Sequence, residues 1–247
     1  MLGLQKRSAP VTAAPISTGA TVAMALAGAG TYALVADGDT AAETKLAERV
    51  VAGGGKAKCF PFEVRNRANA CRAVRPAAAL GGRTPTRLID KDGPMAPDTS
   101  GAISEVSFCR VVDVRVSGHF MSCHAALARL RVYRKGRTID IASGAGVQET
   151  IAQVNDGAAK AAVIGPAKFL TRARGRRKLM ANAIAPHAAT AVAANTRTNE
   201  KPAAQTAATI PLGRRADTEQ VAGTFVFLAS GAAPCSGLKS WQSIEEW

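Results

Sequence analysis

The stretch from Ala9 to Asp39, APVTAAPISTGATVAMALAGAGTYALVADGD, decides the fold. Ala9 to Thr12 is a short apolar run of strand length, and Tyr32 to Ala36 is a second one, closed by the turn signal Asp37-Gly38-Asp39. Between them the pattern predicts a helix over Ser17 to Ala29, with Ser17 or Thr18 as its N-cap and Gly30 at its end. A strand, a helical crossover and a second strand bring the two strands side by side and parallel, with a right-handed connection.

The alternation continues outward from this unit. Ala41 to Ala52 has helical composition and ends in Gly53-Gly54-Gly55, a C-cap and turn. Lys58 to Phe62 reads as a third strand, Ala68 to Leu80 as a third helix and Arg87 to Lys91 as a weak strand. A long helix is predicted around Ile103 to Leu130, a strand at Thr138 to Ala142 and a helix around Ile151 to Leu170. A strand at Met180 to Ala185, a helix at Thr218 to Ser230 and a tail complete the chain. No internal repeat and no long linker divides it, so residues 1–247 are read as one doubly wound α/β domain, a parallel sheet covered by helices on both faces.

Composition agrees and narrows the function classes. In 247 residues, 47% are hydrophobic but only 4% aromatic, which favours layered α/β packing over the stacked-aromatic platforms that bind single-stranded nucleic acid. Cys59, Cys71, Cys109, Cys123 and Cys235 are odd in number and without C-x-x-C spacing, so neither a disulfide framework nor a zinc ribbon is indicated and a reducing cytoplasm fits. The apolar stretch Gly19 to Val35 is interrupted by Thr, Gly and Tyr, so no membrane span is expected. Lys6 and Arg7 lead into Ser8 and Pro10 rather than an apolar h-region, which argues against a signal peptide. The net charge of +14 attracts nucleic acid, acidic membranes or phosphorylated ligands.

Several segments carry a resemblance. Leu34-Val35-Ala36-Asp37, Gly93-Pro94-Met95-Ala96-Pro97-Asp98, Asn182-Ala183-Ile184-Ala185-Pro186, Ile210-Pro211-Leu212-Gly213-Arg214 and Phe225-Val226-Phe227-Leu228-Ala229-Ser230 resemble the framework of the short-chain dehydrogenase/reductases of the classical type, and are similar to 3-oxoacyl-[acyl carrier protein] reductases and related alcohol dehydrogenases. The resemblance implies a Rossmann fold, usually a homotetramer, that transfers hydride between a nicotinamide cofactor and a small-molecule carbonyl or alcohol.

For the cofactor, the resemblance implies a T-G-x-x-x-G-x-G loop after the first strand, where backbone approaches a pyrophosphate at a helix N-terminus. The matching residues run from Thr12 through Ala13 and Ser17 to Gly19, and only the last glycine is kept. A left-handed Ala13 costs on the order of 1 kcal/mol, and the Ser17 side chain crowds the phosphate, so weakened binding is expected. Asp37 matches the acid that accepts from the adenosine ribose and repels a 2′-phosphate, favouring NAD over NADP; it also fits a turn-capping role in Asp-Gly-Asp. Glu63 matches an acid beside the adenine, or is a solvated loop acid. Asp90 begins Asp90-Lys91-Asp92-Gly93, where the family has N-N-A-G lining the cofactor. Pro186 precedes His187 where the family has Pro-Gly beside the nicotinamide.

The implied catalytic set is Ser to position the carbonyl, Tyr to give the proton, Lys to assist the Tyr and hold the ribose, and Asn to complete a water relay. Ser143 and Lys160 match the Ser and the Lys, whereas Asp156 stands at the Tyr position and Arg115 at the Asn position. An Asp titrates near 3.9 in isolation and a Lys one helical turn away pulls it lower, so a role as proton donor at pH 7 would need a rise of roughly three units. The plainer expectation is an i, i+4 ion pair of Asp156 with Lys160. Two functions therefore stand open: an oxidoreductase in which Asp156 or a water replaces the Tyr, and a non-catalytic Rossmann subunit with a binding or structural role.

Other features have bland readings. His119, Cys123 and His124 lie close together on the long helix and are taken as surface or interface groups, with no metal assigned. The run Arg172-Ala173-Arg174-Gly175-Arg176-Arg177-Lys178 falls at a helix end and in the loop before a strand, without interleaved aromatics, so it reads as solvated rather than as a nucleic-acid surface. Pro166 and Gly175 are expected to interrupt the helix after Lys160 and lower stability, since Pro costs about 3 kcal/mol inside a helix.

Overall fold

A computed structural model of the chain describes residues 2–5, 7–12, 18–62, 87–90, 103–133, 136–147, 154–186, 188, 210, 212–234 and 240–242. In chain order the elements are β1 (Ser8–Thr12), α1 (Thr18–Gly28), β2 (Tyr32–Asp37), α2 (Thr40–Ala52), β3 (Lys56–Pro61), β4 (Arg87–Asp90) and α3 (Glu105–Val112). A π-helical segment, Asp113–Ser117, leads into α4 (Gly118–Tyr133), followed by β5 (Gly136–Ile141), a single 3-10 turn at Gly144–Gly146 and α5 (Val154–Arg174). A second 3-10 turn at Gly175–Arg177, β6 (Leu179–Ala185), α6 (Thr218–Ala229) and β7 (Ser240–Gln242) complete the described fold.

The seven strands form one sheet in the order β3-β2-β1-β4-β5-β6-β7, parallel throughout. All five residues of β1 are buried, as a strand covered on both faces must be. On one face α1, α2 and α6 pack Val22, Leu26, Leu46, Val50, Phe225 and Leu228 against β1, β2 and the isoleucines of β5 and β6. Residues of alternate parity point the other way: Ala181, Ala183 and Ala185 of β6 meet Ala167 of α5, with Cys123 and Ala125 of α4 in a neighbouring cluster. Helices thus cover both faces, and the doubly wound reading holds.

Two expectations are corrected. The tail after α6 contributes a strand, β7, whose Ser240, Trp241 and Gln242 pair in parallel with Ala183, Ile184 and Ala185. Three residues with little apolar periodicity are too short a signal to read as a strand; the free edge of β6 makes them one. Pro166 does not interrupt α5, which runs unbroken from Val154 to Arg174, and Gly175 only opens the 3-10 turn beyond it. The backbone bond lost at Pro166 is offset by tertiary anchoring. Thr171 Oγ1 donates to Ala181 O (2.8 Å) and accepts from Ala181 N–H (2.9 Å), tying the last turns of α5 to β6. The helix expected at Ala68 to Leu80 lies outside the described residues.

Candidate active site

Strand order reverses between β1 and β4, so the connections leaving their C-terminal ends diverge and leave the crevice in which open α/β sheets bind ligands. Thr12 ends β1, Asp90 ends β4 opposite Asp140 of β5, and Gly19 is buried in the first turn of α1. Ala13, Ser17, Glu63 and His187 lie outside the described residues. Pro186, half-buried, follows the last residue of β6.

At the β2 end, the turn role open to Asp37 is present. Its Oδ1 accepts from Asp39 N–H (3.0 Å), and Asp39 Oδ1 in turn accepts from Ala42 N–H (3.0 Å), capping α2. Sequence reading missed the third acid here. Glu43, in the first turn of α2, is 0% exposed and accepts from the backbone N–H of Asp37. Burial, reinforced by the charges of Asp37 and Asp39, pushes its carboxyl up to about 7, against the pull of that hydrogen bond. The same burial, with Glu43 nearby, pushes the Cys59 thiol up. Only an acid at helical spacing among Leu46 and Val50 hinted at this inward position.

Across the crevice, the segment after β5 is held against α5 by two close approaches. A Cβ on Gly146 would lie 2.6 Å from Ala161 N and from Lys160 C, and one on Gly157 would lie 2.9 Å from Ala145 O. Only glycine lets the turn and the helix touch there. Ser143 opens that turn, its hydroxyl accepting from Ala145 N–H (3.2 Å). Lys160 is buried, and its Nζ donates to Ile141 O (2.6 Å), the last carbonyl of β5 and two residues before Ser143. Ser143 and Lys160 are therefore referenced to one strand end.

The two substituted positions also meet. Arg115 sits in the π-helical segment and is 2% exposed; its guanidinium donates to the carboxylate of Asp156, in the first turn of α5. Asp156 thus finds a cation on another helix, 41 residues away in sequence, where the sequence suggested Lys160 one turn along. This is a charge-assisted bond, with Asp156 at a helix N-terminus that also favours the anion. A carboxylate held this way serves as a hydrogen-bond acceptor.

The expectation of surface groups on the long helix is overturned for two of three. His119 and Cys123 are 3% and 4% exposed, whereas His124 is exposed and stacks on Phe120 with ring centroids 5.8 Å apart. In the basic run, Arg172, Arg176 and Lys178 are exposed, as a solvated loop requires.

A doubly wound parallel sheet with a switch-point crevice, flanked by a serine and a buried lysine at one strand end, defines a Rossmann-type α/β protein of dinucleotide-dehydrogenase architecture. A family model described as Enoyl-(Acyl carrier protein) reductase matches residues 13–237. The 3-oxoacyl-[acyl-carrier-protein] reductase of Synechocystis sp. is 32% identical over 237 residues, covering 94% of this chain and 93% of that protein. The (3R)-3-hydroxyacyl-CoA dehydrogenase of Mus musculus is 29% identical, covering 93% and 91%. Among solved structures, a protein from Beutenbergia cavernae described as a candidate NAD(P)-dependent gluconate 5-dehydrogenase, with bound NADP, superposes with a TM-score of 0.90 at 27% identity, over 98% of this chain and 96% of that one. The chain belongs to the short-chain dehydrogenase/reductase family, a family of NAD(P)-binding oxidoreductases. Among the described residues no helix is long and apolar enough to cross a membrane.

Proposed function

We propose that this chain, acting as one domain, binds a nicotinamide dinucleotide in the crevice and transfers hydride between it and a small or acyl carbonyl or alcohol substrate. The observation that carries the reading is the shared anchoring of Ser143 and Lys160 at the end of β5. NAD is favoured over NADP. Asp37 is half-buried at the C-terminal end of β2, beside the crevice, where a carboxylate accepts from ribose hydroxyls and repels a 2′-phosphate. The segment from Ala13 through Ser17 to Gly19 would face the pyrophosphate, Glu63 the adenine, and Asp90 and Pro186 the nicotinamide side.

A bound nicotinamide supplies or accepts the hydride. In the reduction direction Ser143 would donate a hydrogen bond to the substrate oxygen as negative charge builds there, and Lys160 would hold the ribose. Asp156, ion-paired to Arg115, would accept a hydrogen bond from a water that gives the alkoxide its proton, the hydroxide so formed being reprotonated from bulk solvent. The protein is proposed to be a cytoplasmic homotetramer, checked by light scattering.

Fluorescence titration with NADH and NADPH, followed by turnover of a panel of ketones and 3-oxoacyl thioesters, tests the reading. Saturable NADH binding with turnover supports it, and absence of binding by either nucleotide overturns it. The Arg115–Asp156 pair favours a second reading, a Rossmann subunit that binds without reacting. Binding without turnover, and turnover gained in the double variant Arg115→Asn/Asp156→Tyr, would establish that one.

A further inference from the structure

Between α4 and β5, one helical turn along from Arg115, three different ligand-bearing side chains converge. His119 and Cys123 lie four residues apart on one face of α4, and Asp140 projects toward them from β5. All three are buried, Asp140 at 0% exposure, and one ligand atom from each lies within 4.8 Å of the others. His119 Nε2 stands 3.6 Å from Cys123 Sγ and 4.0 Å from Asp140 Oδ2.

We infer that His119, Cys123 and Asp140 form a binding site for a divalent transition-metal ion, zinc by donor type. Metal–ligand distances of about 2.3 Å to sulfur and about 2.0–2.1 Å to nitrogen or oxygen put tetrahedral neighbours about 3.4–3.6 Å apart. The Nε2–Sγ separation already has that value, and Asp140 Oδ2, at 4.0 Å from Nε2, must move in by about 0.6 Å or more to match it. Charge fits as well. A thiolate and a carboxylate together carry the two negative charges that cancel a divalent cation, so the occupied site is neutral where isolated buried charges are costly. A nitrogen–sulfur–oxygen set suits zinc and excludes calcium and magnesium, which take oxygen ligands. On binding, the Cys123 thiol loses its proton to solvent, the metal–sulfur bond forms, and a water takes the fourth position. The site clamps α4 to β5 three residues before Ser143, independent of whether the crevice binds a nucleotide.

Cobalt(II) chloride added to the metal-free 247-residue chain tests this. One equivalent should produce the intense visible bands of tetrahedral cobalt and a thiolate charge-transfer band in the near ultraviolet, both displaced by zinc. The charge-transfer band should vanish in Cys123→Ser and persist in a variant whose only cysteine is Cys123. His119→Ala and Asp140→Asn should each weaken binding at least tenfold. Zinc should raise the melting temperature of the wild-type protein and leave that of Cys123→Ser unchanged, a readout available for any variant that retains native circular dichroism. Absence of the band from the wild-type protein, as when a protonated His119 alone bridges Cys123 and Asp140, overturns the inference. So does a band that survives Cys123→Ser.

Discussion

The two faces of the sheet are built differently. Among the described residues, the core under α1, α2 and α6 is one cluster in which Val, Leu, Ile and Phe pack with Ala, whereas the buried apolar residues under α4 and α5 fall into two small clusters, one of them made of alanines. The buried charged and His side chains among the described residues divide likewise: Arg115, His119, Asp140, Asp156 and Lys160 lie on the α4 and α5 side, and Glu43 at the rim of the apolar face. Among the described residues, the first face holds most of the large buried apolar side chains. The other gives up apolar contact to hold charges beside the crevice, where they stand only because each is paired or hydrogen-bonded.

The contrast can be broken most severely on the apolar face. Phe225→Ala, at a fully buried position of α6, should cost about 3–5 kcal/mol in urea unfolding, because the cavity is walled by two helices and the sheet. On the other face, Arg115→Ala leaves the Asp156 carboxylate buried without its partner and should cost about 3 kcal/mol, whereas Arg115→Asn/Asp156→Tyr should recover most of it. If the double variant is no more stable than Arg115→Ala, the pair is not the unit that holds α5 to the π-helical segment.

Glu43 sharpens the comparison through pH. Its carboxyl is raised from 4.5 to about 7 in the folded protein. The folded state therefore binds the proton more tightly than the unfolded chain, and this contribution is complete below pH 4.5 and lost as pH rises through about 7. Glu43→Gln keeps an acceptor for Asp37 N–H and should be about 3 kcal/mol more stable than wild type at pH 8, the difference vanishing near pH 4.5. Melting both proteins across that range gives the result, and parallel curves would refute the assignment. The smallest effect belongs to Asp39→Ala, which removes the α2 cap and should cost about 1 kcal/mol in thermal melts.

Much of the fold could be read from local signals. The strand–helix–strand unit from Ala9 to Asp39, the Asp37 turn and the Gly53-Gly54-Gly55 helix end all appear at or within a few residues of their expected places. Ser143 and Lys160 were named only through the family resemblance; Ser143 follows β5, and Lys160, on α5, reaches its last carbonyl. Glu43 and Asp140 escaped notice because a single acid within an amphipathic helix or a buried strand carries no local mark of what it faces.

By itself, then, the sequence determined the alternation of elements and the parallel sheet, since apolar periodicity, caps and glycine turns act over a few residues, and its framework segments carried the resemblance to the family. Tertiary structure alone decided the partner of Asp156, the continuity of α5 through Pro166, the seventh strand, and the meeting of His119 and Cys123 with Asp140. Each depends on groups far apart in the chain that become neighbours only after helices have docked on the sheet, where burial fixes which charges must meet.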